Sequence, residues 1–253
     1  MIPLRPLGSL MLAIALSMSG ATARADDVLV AVAANFAGPM AKIAEGFSAA
    51  TGHTLRVASG ATGKFYSQVR AGAPFEVLLA GDDETPARLV AEGHAVAASR
   101  FTYAIGRLAL WSATPGRVDD QGAVLAAGRF DRLAIANPKL APYGRAAMET
   151  LQARGLVAAV TPKLVTAESI AQAYQFVFTG NADIGFVALS QVVVPGKPPV
   201  GSMWLVPAEL HSPIRQDAVL LKAGVGRPAA AALLAYLKSA PARAVMESHG
   251  YSF

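Results

Sequence analysis

The segment Val28-Leu-Val-Ala-Val-Ala-Ala-Asn-Phe-Ala-Gly-Pro-Met40 joins an apolar run to a helix-forming one. Val28 to Ala33 reads as a buried strand, and Phe36 to Ala50 as a helix that stops at Thr51-Gly52. A strand that ends at a small polar residue opening a helix leaves free backbone N–H groups and a positive dipole end at a sheet edge. Such an edge suits an anion. Taken alone, Asn35 is also an ordinary N-cap at a β–α turn.

The strand–helix alternation continues outward from this segment. Leu55 to Ala58 reads as a strand, Thr62 to Arg70 as a helix, Val77 to Ala80 as a strand, and Pro86 to Glu92 as a helix closed by Gly93. Short apolar strands alternating with helices predict a parallel sheet covered on both faces. Thr102 to Ser112 then reads as one long strand. A second series follows, with strands at Leu133 to Ile135, Val165 and Ile184 to Leu189, and helices at Tyr143 to Arg154 and Glu168 to Phe178. Pro195 to Pro199 is a surface loop. Trp204 to Val206 and Ala218 to Leu221 lead to a helical region, Pro228 to His249, interrupted at Pro241. Two α/β series joined by a long strand predict an α/β chain of two lobes, with ligand held between them at the carboxyl ends of strands.

Composition narrows the function classes. The 253 residues are 53% hydrophobic, enough for a large core. Met1 to Arg5 is weakly basic, Leu7 to Met18 is apolar, and Ala23-Arg24-Ala25 carries small residues at the cleavage positions, so residues 1–25 read as a secretory signal peptide. A periplasmic location is therefore expected. The formal charge of +5 includes Arg5 and Arg24, which leaves the mature chain near +3 with no basic–aromatic stripe. Nucleic acid is not an expected partner. Zero cysteines exclude disulfides, thiolate nucleophiles and Cys-based zinc sites.

Four junctions carry small residues and neutral donors: Ala33-Ala34-Asn35-Phe36, Ser59-Gly60-Ala61-Thr62-Gly63-Lys64, Asn137-Pro-Lys-Leu-Ala-Pro-Tyr143-Gly144, and Thr166-Ala-Glu-Ser-Ile170. In the second, two glycines allow close backbone approach to a ligand. Two junctions fall in each lobe, so closure would surround one small anion with helix N-termini and neutral donors. Glu168 reads as a solvent-facing carboxylate at a helix start.

Other signals read as structural. Gly60-Ala-Thr-Gly-Lys64 is too short for a phosphate-binding P-loop. Asp82-Asp83-Glu84 reads as a helix start rather than a metal or acid/base cluster. His53, His94, His211 and His249 lack metal-ligand spacing, and Trp111 and Trp204 read as packing residues.

Ala33-Ala-Asn-Phe36, Ser59-Gly-Ala-Thr-Gly63, Ala71-Gly-Ala-Pro74, Arg100-Phe-Thr-Tyr-Ala-Ile-Gly106, Asn137 to Gly144 and Asp183-Ile-Gly-Phe-Val-Ala-Leu189 occur in this order over essentially the whole mature chain. Together they resemble the periplasmic molybdate-binding proteins of ABC importers. The resemblance implies a bilobal type II periplasmic-binding-protein fold with a two-crossing hinge. Lobe 1 would comprise residues 26–104 and 212–253, and lobe 2 residues 105–211. It implies binding of molybdate, and of tungstate, with delivery to a membrane permease and its cytoplasmic ATPase, by a monomer without a cofactor and without enzymatic activity.

The oxyanion-binding residues it implies are Asn35 (side chain and N–H), Thr62 (hydroxyl and N–H), Tyr143 (phenol and N–H) and Ile170 (N–H). They would reach the metal only through its oxygens. Ala188 lacks the Tyr of one branch, and Ala34 stands where some Asn-type relatives carry Thr. The other functional expectations are a sulfate or similar oxyanion receptor, an extracytoplasmic sensor subunit, and an exported enzyme on the same fold. An enzyme would need a nucleophile–base pair or paired carboxylates at the cleft.

Overall fold

In the computed structural model, residues 26–198 and 200–253 are described; the expected signal peptide and Pro199 lie outside them. Ten strands are present among these residues: β1 (Asp27–Ala33), β2 (Thr54–Gly60), β3 (Val77–Leu79), β4 (Phe101–Gly106), β5 (Leu108–Ser112), β6 (Leu133–Ala136), β7 (Leu164–Ala167), β8 (Ile184–Ala188), β9 (Ser202–Leu205) and β10 (Ile214–Leu220). They form two five-stranded sheets, ordered β2-β1-β3-β10-β4 and β7-β6-β8-β5-β9.

Both sheets are mixed, which corrects the all-parallel expectation. β1, β2 and β3 pair in parallel, whereas β10 runs antiparallel to both β3 and β4. Likewise β6, β7 and β8 are parallel, and β5 is antiparallel to β8 and β9. The antiparallel strands are those that carry the chain from one sheet to the other.

The run Thr102 to Ser112 is two strands rather than one. β4 ends at Gly106 in the first sheet, β5 begins at Leu108 in the second, and only Arg107 separates them. The chain returns between β9 and β10, over residues 206–213.

The helices are α1 (Ala37–Thr51), α2 (Thr62–Arg70), α3 (Glu84–Ala91), α4 (Ala123–Ala127), α5 (Pro142–Ala153), α6 (Val157–Val160), α7 (Ile170–Phe178), α8 (Leu189–Val192), α9 (Pro228–Tyr236) and α10 (Ala240–Ser248). α1 stops where Gly52 takes a left-handed φ of 74°, a conformation that costs glycine nothing. Pro241 does not interrupt a helix. It lies in the first turn of α10, capped by Ser239, and the break falls just before it.

Period-two burial explains why the first sheet is covered on both faces. Val28, Val30 and Val32 of β1 pack with Phe36, Met40, Ile43 and Phe47 on the α1 side. Ala31 points the other way, to Phe65, Val69 and Leu89 of α2 and α3. A separate cluster fills the second sheet, and Ala34 packs into that one although it follows β1 directly. Trp111 and Trp204 lie in the same cluster, as packing residues. Ala34 thus seats the first junction against the other half of the molecule.

Candidate functional site

β1 ends at Ala33 with its strand neighbours already paired, so the chain must turn. It does so through a 3₁₀ turn, Ala34–Phe36, before α1 begins at Ala37. Asn35 is therefore not the N-cap of α1, and no side chain caps that helix. Its amide Nδ2 donates instead to Gln216 Oε1 and to Tyr251 Oη, both at 2.9 Å. Both amide hydrogens are thereby engaged within the protein. Asn35 is left with its backbone N–H, at the start of the turn, to offer outward.

Thr62 is the first residue of α2. Its Oγ1 accepts from the Gly81 N–H at 2.9 Å, which leaves the hydroxyl proton free to donate. Tyr143 enters α5 directly behind Pro142, and its Oη accepts from Gln216 Nε2 at 3.1 Å. Ile170 opens α7 behind Ser169, whose Oγ accepts from Gln172 N–H. Ser169 is thus the cap, and the helix does not start at Glu168.

These four residues come together. Asn35, Thr62, Tyr143 and Ile170 line one cavity with Ala34, Gly60, Ala61 and Pro142, and no lining residue is charged. The cavity is about 10 Å³, on the scale of one buried water site. Three helix starts and one 3₁₀ turn aim unpaired N–H groups at this point, and the side chains add hydroxyl donors.

Beneath the cavity lies a neutral polar network that the sequence analysis did not identify. Gln216, Tyr103 and Tyr251 are buried at 0%, 2% and 6% exposure, and Tyr143 at 2%. Burial raises the phenols of Tyr103 and Tyr143 well above their ordinary range and pushes Tyr251 up to about 12. All three stay protonated at neutral pH. Because the folded state holds the proton more tightly than the unfolded chain, their contribution is complete below pH 10. It falls as pH rises toward 12, while unfolded phenols ionise and Tyr251 in the native state does not. Melting temperatures should therefore show no loss from these groups through neutral pH and a decline above about pH 10. A decline centred near neutrality would assign the titration to other groups.

The two halves also touch around the cavity rim. Gly63 N–H donates to Leu140 O at 2.9 Å, and a Cβ on Gly63 would lie 3.1 Å from the Leu140 backbone. Gly63 thus permits close approach of the opposite half rather than of a ligand. Glu168 pairs with Lys64 across the rim instead of facing solvent alone. Arg145 reaches Glu84 at 2.7 Å and Asp82 at 3.6 Å. Asp82 also accepts from Thr85 N–H and Oγ1, as a helix-start carboxylate does. The exposed pairs Lys64–Glu168 and Arg145–Glu84 are each worth no more than about 1 kcal/mol.

Among the described residues no group of His, Asp and Glu could hold a metal ion, and the four histidines lie away from the cavity. No helix among them is long and apolar enough to cross a membrane.

Residues 28–252 match the family described as bacterial extracellular solute-binding protein. The chain is 56% identical over 245 residues to the molybdate-binding protein ModA of Azotobacter vinelandii, covering 97% of each chain. It is 52% identical over 229 residues to ModA of Rhodobacter capsulatus, covering 90% of this chain and 89% of the relative. The solved structure of an Azotobacter vinelandii periplasmic molybdate-binding protein superimposes with a TM-score of 0.87 at 39% identity, over 89% of this chain and 99% of that one. By sequence and by fold, the chain belongs to the bacterial extracellular solute-binding protein family, in the group that contains these molybdate-binding proteins.

Proposed function

We propose that this protein is the extracytoplasmic receptor of an ABC importer, that it binds molybdate, and tungstate with it, between its two lobes, and that it hands the ion to a membrane permease driven by a cytoplasmic ATPase. The observation that carries this reading is the convergence of Asn35, Thr62, Tyr143 and Ile170, from both halves of the chain, on one small uncharged cavity. Neutral, preorganised donors in a water-poor cavity hold a dianion without a counter-charge, since each hydrogen bond to a charged group is strong. In this reading Asn35 and Ile170 give backbone N–H groups, and Thr62 and Tyr143 add a hydroxyl and a phenol. The ion's metal is reached only through its oxygens. The lobes meet at Arg107 and residues 206–213, where the chain changes sheets. The receptor works as a periplasmic monomer. It is not an enzyme, and the cavity has donors for binding but no nucleophile–base pair for turnover.

Calorimetry and thermal shift with molybdate, tungstate, sulfate, phosphate and chromate test this directly. Molybdate at 1,000 times its dissociation constant should raise stability by about 4 kcal/mol. No response to molybdate or tungstate, or a stronger response to sulfate, would overturn the assignment.

Thr62→Val and Tyr143→Phe should each weaken molybdate binding by about 1–3 kcal/mol. Each removes a donor to the ion and also strands a buried partner, Gly81 N–H or Gln216 Nε2. Titration calorimetry reads both. Unchanged affinity in the pair would move the binding site elsewhere.

A further inference from the structure

Gln216 stands on β10 where the pairing register with β4 shifts: Gln216 pairs with Ala104 and Asp217 with Thr102, so Tyr103 is passed over. A bulge of this kind re-aims side chains and recurs beside functional sites. Here it brings Gln216 Oε1 to 2.9 Å from Tyr103 Oη and turns the amide toward the cavity floor. Gln216 is fully buried, in the first sheet, and meets one cavity residue from each half of the molecule: Asn35 on Oε1 and Tyr143 on Nε2.

The direction of these bonds follows from where each proton can go. Ser190 Oγ donates to Asn35 O at 2.8 Å, and Tyr251 Oη lies 3.0 Å from Ser190 Oγ, to which it can donate. Asn35 Nδ2 in turn donates to Tyr251 Oη. Tyr251 Oη also lies 3.0 Å from Asn35 O, so whether its proton goes there directly or to Ser190, the loop closes on a backbone carbonyl, which can only accept. That closure orients the Asn35 amide, and the amide's second hydrogen makes Gln216 Oε1 an acceptor. Gln216 Nε2 must then be the donor to Tyr143 Oη. A phenol oxygen that accepts from an amide keeps its own proton to give away. Tyr251 is the other hydroxyl beside it, and an anion in the cavity is a stronger acceptor than a neutral phenol.

We propose that Gln216 is a positioning residue for the oxyanion: it holds the Tyr143 phenol as an obligate donor to the bound ion and couples that donor to Asn35 across the two lobes. The proposal rests on the reading of the cavity as an oxyanion site. Chains of such bonds polarise one another, so Gln216 adds to Tyr143's strength as a donor as well as to its direction.

A double-mutant cycle tests it, with molybdate as the probe and calorimetry as the readout. Gln216→Met keeps the volume and removes both hydrogen bonds, and should weaken binding about 10- to 30-fold. Tyr143→Phe should do the same. The double variant should be no more than about twofold weaker than the worse single, because both remove one device. Losses that multiply, or a Gln216→Met affinity within about twofold of the parent, would overturn the proposal.

If Gln216→Met does not fold, Gln216→Glu retains size and polarity, and Asn35, Tyr103 and Tyr143 can all donate to its carboxylate. Taking Tyr143's proton away from the ion, it should lose more than about 100-fold, and parent-like affinity would again refute the role. The ultraviolet difference spectrum of the parent on adding molybdate should show a tyrosine perturbation that vanishes in Tyr143→Phe. A merely structural Gln216 would leave that signal unchanged in its own variants. Absence of molybdate binding by the parent protein would instead overturn the cavity assignment itself.

Discussion

Gly144→Ala should lower stability by about 3 kcal/mol, a fall of about 10 °C in melting temperature for a chain of this size. Gly144 lies in the first turn of α5, and a Cβ there would sit 2.1 Å from the Ala136 carbonyl oxygen and 2.7 Å from its carbon. Both belong to backbone at the end of β6, so no side-chain rotation relieves the clash. The helix start must lift away from the strand, and Tyr143 and the α5 N-terminus lift with it. Urea and thermal unfolding of the unliganded protein read the effect. A melting temperature within about 2 °C of the parent would mean that α5 is not seated against β6 as described.

Gly106→Ala should act on affinity more than on stability. Gly106 ends β4 at the point where the chain leaves the first sheet. A Cβ there would meet Tyr143 Oη at 2.1 Å and Gln216 Nε2 at 2.5 Å. These are the ends of side chains, which can retreat where a backbone cannot. Tyr143 must shift by roughly 1 Å to restore van der Waals contact, and its bond to Gln216 is lost. With the phenol displaced and the network broken, molybdate affinity should fall at least as far as in Tyr143→Phe, about 10- to 30-fold. Calorimetry on the folded variant decides it. Retained affinity would show that the phenol is not a donor to the ion, and with it the role assigned to Gln216 would fail.

The two substitutions separate two uses of glycine that look alike in a sequence. At Gly144 the absent Cβ makes room for the Ala136 carbonyl at the end of β6, and the consequence is structural. At Gly106 it makes room for two polar groups brought from residues 143 and 216. Neither position has a positive φ, so backbone conformation gives no hint of either role.

Much of the candidate site was nevertheless legible. The junctions at Asn35, Thr62, Tyr143 and Ile170 are local events: a strand ends, a small or polar residue follows, and a helix begins. Periodicity, Pro142 and the short polar segments reveal them because the free N–H groups at a helix start depend only on residues within one turn. Residue type also showed that the donors at Asn35, Thr62, Tyr143 and Ile170 are neutral, although Lys64, Lys139 and Glu168 stand within the same junctions. The reading of Asn35 as an N-cap failed because its side chain found stronger tertiary partners than the helix behind it. The long strand Thr102 to Ser112 failed as one element because an apolar run carries no mark of the residue at which it changes sheets.

By itself, then, the sequence determined where donors are free and that they are neutral, since those follow from strand ends, helix starts and residue type over a few positions. Only the tertiary structure decided which way the donors point and what holds them. Gln216, Tyr251 and Ser190 reach Asn35 from 181, 216 and 155 residues away. Gln216 and Tyr251 arrive after two changes of sheet and Ser190 after one, and a one-residue register shift between β4 and β10 sets the place of Gln216. Hydrogen-bond direction in a buried network is a property of the closed set of partners, and no member's neighbours in the chain can reveal it.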